Sequence, residues 1–245
     1  MEKNIIIAIS NLIPGYMKIR ARRTLLVILF TTITTKILSQ GIYVMEGKLL
    51  DKYEPIIYTL SYDDIEGSPY LNDTLKNGVV KFIGGDIIRT LLRYNIYEDG
   101  VEYVEGEKLL EIDNSDQLQY IQIGDDQLVY VEYSHEQRTM KGYLIEEVSG
   151  KCRLFKKYSI DFEDAEAPLT SYHGPKPARF VLKPPEWFTS NNGGPISNLK
   201  TTKSSLKNLF GDHYTTMEAY KKREKLKLHK GQDMILFFEY YNSID

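Results

Sequence analysis

LQYIQIGDDQLVYVEYSHEQRTMKGYLIEEVSGKCRLFKKYSI, residues 118–160, decides the fold. Four runs rich in aliphatic and aromatic residues, 118–123, 128–133, 140–148 and 152–160, are separated by Gly124-Asp125-Asp126, by a turn near His135 and by Ser149-Gly150. Leu118 and Tyr120 alternate with Gln117, Gln119 and Gln122, and Leu128, Tyr130 and Glu132 continue the stripe. Such alternation suits a sheet with one face on a core and the other in water. The connections are too short for helical crossovers, so the strands must run antiparallel.

The same grammar extends upstream. Runs at 79–83, 87–97, 101–104 and 108–112 are punctuated by Gly84-Gly85, Glu98-Asp99-Gly100, Glu105-Gly106 and Asn114-Ser115. Asp-Gly and Gly-Gly between apolar runs mark hairpins, because those turns need positive φ. Nineteen Tyr and nine Phe against one Trp favour strands, since aromatic rings fit a pleated, half-buried surface. Before the meander, residues 42–50 and 56–61 read as two short strands interrupted by Pro55.

Downstream the pattern breaks. Asp161, Glu163, Asp164 and Glu166 form an acidic run, and Pro168, Pro175, Pro177, Pro184, Pro185 and Pro195 crowd the stretch beyond it. One strand, 178–182, fits there, and 183–201, rich in Pro, Gly and Asn, reads as an exposed linker. From 202 the chain reads as helical. Leu206, Leu209 and Phe210 give a short helix, Asp212 stands as the cap of a second, and Gly231 precedes a third with Met234, Ile235, Phe237, Phe238 and Tyr241 on one side. A terminal strand at 234–240 competes for the last piece. The fold class is therefore α+β: an antiparallel, twisted β-meander or partly closed barrel, with short C-terminal helices packed on it. The β-rich domain spans 40–182 and the helical segment 202–245.

The N-terminal region reads as an export signal. Lys18, Arg20, Arg22 and Arg23 precede a short apolar run, 25–33, and Ser39 and Gln40 suit a cleavage point, though Ile37 is bulky for the −3 position. The run is too short for a comfortable span, which needs about 20 apolar residues. Residues 1–39 are thus a dispensable extension plus a secretory signal, with translation starting at Met17. The mature protein would be periplasmic or secreted, and not integral to a membrane after cleavage. A net charge of −3 and the absence of an aromatic–basic motif argue against nucleic acid.

The stretches GSPYLNDTLKNGVVKF and LLRYNIYEDGVEY, with a KSSLKNLF helix and an ending in EYYN, resemble uncharacterised exported proteins of Bacteroidota-type bacteria. The resemblance spans most of 67–242. It implies export and carries no active site with it.

No motif fixes a chemistry. His135, His173, His213 and His229 are scattered, without the converging spacing of a zinc site. There is no nucleophile elbow and no phosphate or dinucleotide loop. Cys152, the single cysteine, reads as a small core residue. No catalytic residue, cofactor or metal ligand is therefore assigned. Carboxylates are the abundant reactive type: residues 97–126 hold ten acids and one base, Lys108. They suit a solvated sheet face, weak cation binding, or two acids flanking a scissile bond. Residues 200–230 are the opposite, with nine basic residues against three acids, and could meet anionic lipid, an acidic partner or the chain's own sheet. Tyr94, Tyr97 and Tyr103, on adjacent strands, are candidates for a ligand platform if they face water, and core if they face inward. The expected role is a non-catalytic binding or interaction module of the cell envelope, its partner an envelope protein, a glycan or an anionic lipid surface. The alternatives are a carboxylate-dependent hydrolase of a polysaccharide or cell-wall polymer, and an assembly role using the basic tail.

Overall fold

Each apolar run between turn residues becomes a strand, because only pairing satisfies its backbone once the side chains are buried. The computed structural model describes Tyr62 and residues 65–113, 115–166 and 176–244. The export signal, the start at Met17 and the strands expected at 42–50 and 56–61 lie outside the described residues. The strands are β1 (Lys76–Phe82), β2 (Ile87–Asn95), β3 (Gly100–Glu105), β4 (Lys108–Glu111), β5 (Leu118–Ile123), β6 (Asp126–His135), β7 (Arg138–Val148), β8 (Cys152–Lys157), β9 (Ile160–Glu163), β10 (Arg179–Leu182), β11 (Glu186–Asn191) and β12 (Ile196–Asn198). The helices are α1 (Lys203–Phe210), α2 (Tyr214–Arg223) and α3 (Gly231–Ser243). None of the described helices is long and apolar enough to cross a membrane.

Ten strands form one sheet in the order β12-β11-β8-β7-β6-β5-β1-β2-β3-β4. A further pairing, β12 with the C-terminal end of β6 through Ile196↔Tyr133, closes β6, β7, β8, β11 and β12 into a small ring. That pairing is parallel, the exception to the antiparallel expectation. A ring of five strands with four antiparallel contacts must close with a parallel one. Val129, Tyr133, Leu144, Phe155, Phe188 and Ile196 fill the ring. Alternate residues of β6 and β7, Leu128, Tyr143 and Ile145, face the other way and join the core built by β1–β5. The sheet is thus apolar on both faces of β6 and β7. The turn there is two residues, Glu136 and Gln137, both at positive φ, the twist that a tight hairpin requires.

Two expectations for 161–201 are corrected. The acidic run does not end the strand pattern: β9 carries Asp161 and Glu163 outward, where Lys183 and Arg179 meet them across the β9–β10 pair. Residues 183–201 are not an exposed linker. They form β11 and β12, with Phe188, Thr189, Ser190 and Ile196 buried. Pro184 and Pro185 precede β11, where a missing N–H costs no ladder bond. Asn192 and Gly193, at positive φ, turn the chain into β12.

The helices cover the outer side of β8. Leu206, Phe210, Met217, Met234, Phe237, Phe238 and Tyr241 pack with Val148, Cys152 and Leu154. Residues 234, 237, 238 and 241 lie on one helical stripe, so the last piece is a helix and not a strand. Asp212 does not cap α2. It lies in a 3-10 turn, and the position just before α2 is His213, which makes no side-chain capping bond.

Candidate functional site

The structure separates the three tyrosines. Tyr94 and Tyr103 are 3% and 1% exposed and point into the core, so they form no wet platform. Their positions on β2 and β3 have the parity of Leu92 and Val101, also fully buried. Only Tyr97, in the β2–β3 turn, is exposed, at 40%. It packs with Phe162 and Phe180 of β9 and β10 at ring separations of 6.2 and 5.0 Å.

Tyr94 and the next turn residue with chemistry, Asp99, do meet. The Tyr94 hydroxyl donates to Asp99 Oδ1 at 2.5 Å, and Lys157 Nζ, at the end of β8, donates to both Asp99 oxygens at 3.0 Å and to the Tyr143 carbonyl. Gly142 makes this possible, since a Cβ there would collide with Asp99 Oδ2. Burial, the Asp99 carboxylate and the hydrogen bond to it push the Tyr94 hydroxyl well above its ordinary pKa. Tyr133 is pushed up to about 12 by burial, with Asp99 and Glu186 adding to it. Beyond it His135 Nε2 lies 2.8 Å from Glu186 Oε2. The Asp99–Lys157 pair ties the β2–β3 turn to the end of β8, and the His135–Glu186 pair ties β6 to β11.

A second constellation lies on β2, β3 and β4. Arg93 clasps Glu102 Oε2 with Nε and Nη2, at 3.0 and 2.6 Å, and lies 3.5 Å over the ring of Tyr70. The Tyr70 hydroxyl donates to Glu102 Oε1 at 3.3 Å and is raised to about 12 by burial and by Glu102. Glu111 is the cross-strand partner of Glu102. Burial, then Glu102, Glu98 and Asp113, push its carboxyl up to about 6. This adjacency brings together two carboxyl groups of different environment, the arrangement that acid–base work requires. Its basic member, Arg93, stands outside the acidic stretch 97–126.

The third feature is a groove of about 890 Å³ across β5, β1, β2 and β3. Val79, Leu91 and Val104 give it an apolar floor, and Asn77, Arg89 and Gln122 supply polar groups. None of its lining residues is aromatic. Ile87, Leu91 and Leu109 are 39%, 41% and 38% exposed. Sequence reasoning passed over them, although a signal exists: the doublets Ile87-Ile88, Leu91-Leu92 and Leu109-Leu110 put one apolar residue on each face of their strands. They leave apolar side chains on the open face of the sheet.

Among the described residues no group of three or more His, Cys, Asp or Glu could hold a metal ion. Cys152 is fully buried, and burial raises its thiol to about 11, which removes it as a nucleophile near neutral pH. His173 lies outside the described residues.

No family model, curated protein or solved structure matches this chain.

Proposed function

We propose that the chain is an exported, non-catalytic binding module of the cell envelope, and that the groove across β5, β1, β2 and β3 is its ligand surface. The groove carries this reading. It is open, apolar at the floor and polar around it, with Arg89 and Glu105 among its lining residues. Without an aromatic face to stack on a sugar ring, it suits an extended segment of a protein partner better than a glycan. Export is supported by the basic and apolar pattern of 18–33. The test is a thermal-shift screen of the full chain against extended peptides and oligosaccharides. A hit should raise the melting temperature of the wild type and lose its effect in Leu91→Glu, whose side chain is already exposed. Oligosaccharide hits that ignore Leu91→Glu, or turnover of any substrate, overturn the proposal.

One observation favours a second reading, a carboxylate-dependent hydrolase. Glu111, raised to about 6, sits across from Glu102 with Arg93 beside it, so two carboxyl groups of different environment share one patch. That reading requires hydrolysis of a polysaccharide or cell-wall polymer that both Glu111→Gln and Glu102→Gln abolish.

A further inference from the structure

The charge of this chain is segregated. Residues 65–199, which hold all the described strands, carry twenty-two acids against fourteen bases, whereas 200–230 carry nine bases against three acids. Two of those nine are engaged, Lys221 with Glu218 and Arg223 with Glu224. The other seven are exposed and, among the described residues, carry no ion pair: Lys200, Lys203 and Lys207 at α1, and Lys222, Lys225, Lys227 and Lys230 at the end of α2 and the turn beyond it. The fold enforces this exposure. In Lys225-Leu226-Lys227-Leu228 the leucines are buried against the helices and the intervening lysines are left outside.

We propose, independently of the groove, that this lysine-bearing surface of the helical segment docks on an anionic lipid surface. Three features select lipid among anionic partners. The free cations are all lysine, compact point charges without the planar fork that reads individual phosphates or carboxylates. They are spread over two helices and a turn, which suits a plane of charge and not a single ligand. Tyr220, the tyrosine of α2 next to Lys221 and Lys222, is already stacked on Tyr240 at 3.7 Å and so is not presented for stacking on bases. The acidic β-rich part supplies the orientation: an anionic plane attracts one part of the chain and repels the other.

The test is co-sedimentation of the full chain with vesicles of phosphatidylcholine alone and of 7:3 phosphatidylcholine–phosphatidylglycerol, followed through Trp187, the single tryptophan. Binding should require phosphatidylglycerol and be lost on raising salt from about 50 to 500 mM, as screening shortens the reach of each charge. Each lysine changed to Gln should weaken binding about threefold to fivefold. Changing all seven to Arg should preserve it. Circular dichroism and melting temperature establish that the Gln variants fold, and the single substitutions serve if the sevenfold variant does not. Equal binding to uncharged vesicles, persistence at high salt, indifference to the Gln changes, or salt-sensitive binding to an oligonucleotide or polyglutamate without vesicle binding overturns the proposal.

Discussion

Glu111 is a half-buried carboxyl set among other acids. Its carboxyl is raised to about 6 in the fold, above the ordinary 4.5, so the folded state holds a proton that the unfolded state has released. Stability therefore falls as pH rises from about 4.5 to 6 and is flat beyond, the reverse of a salt-bridged acid. Because Glu111 is only half-buried, solvent screening limits the loss to about 1 kcal/mol. Glu111→Gln should remove this slope, making the protein more stable than wild type at pH 8 and equal to it at pH 4. Parallel urea midpoints for the two proteins across that range contradict the assignment. Lys157 behaves differently. It is mostly buried and bonded to Asp99 and to the Tyr143 carbonyl, so Lys157→Met leaves Asp99 and its turn without a cation. The expected cost is about 2 kcal/mol, with Asp99→Asn adding little on top, as a double-mutant cycle would read.

At the scale of elements, the closing hairpin β11–β12 matters most. It pairs with β8 on one side and β6 on the other, so a segment rich in Pro, Asn and Gly becomes the piece that completes the ring. Phe188 is 1% exposed and packs edge-on to Tyr133 at 5.0 Å. Phe188→Ala should cost about 3–5 kcal/mol, whereas Asn192→Asp, in the exposed turn, should stay within about 0.5 kcal/mol. A linker would give small values at both positions. The helices are fixed as firmly by one side chain. Asn242 of α3 accepts from the Cys152 N–H and donates to the carbonyls of Ser149 and Cys152, tying α3 to the start of β8.

For the whole molecule, the two faces of β6 and β7 join two cores, and the long β6–β7 hairpin is the common wall. Amides of β6, β7 and β8 should therefore exchange slowest, near the global unfolding free energy, and those of the separate β9–β10 pair fastest among the strands. Native-state hydrogen exchange reads this directly, and equal protection of β9–β10 and β7 would contradict it. The acidic sheet and the basic helices also predict an oriented encounter with charged surfaces, the basis of the vesicle experiment.

Period and punctuation in the sequence determined most strands, their antiparallel hairpins, the C-terminal helices and the burial of Cys152, because a residue's local neighbours set whether a run is pleated or helical and where it turns. The pairing of β12 with β6 was not legible, since ring closure joins residues far apart in the chain and leaves no periodic mark. For the same reason β11 was hidden among prolines, and Tyr94 and Tyr103 were left between a wet face and the core until the curl of the sheet covered them. The Glu102–Glu111 adjacency and the groove also belong to tertiary structure. A carboxyl's proton affinity depends on what folding places around it, and an apolar doublet becomes a surface only when one of its two faces stays open.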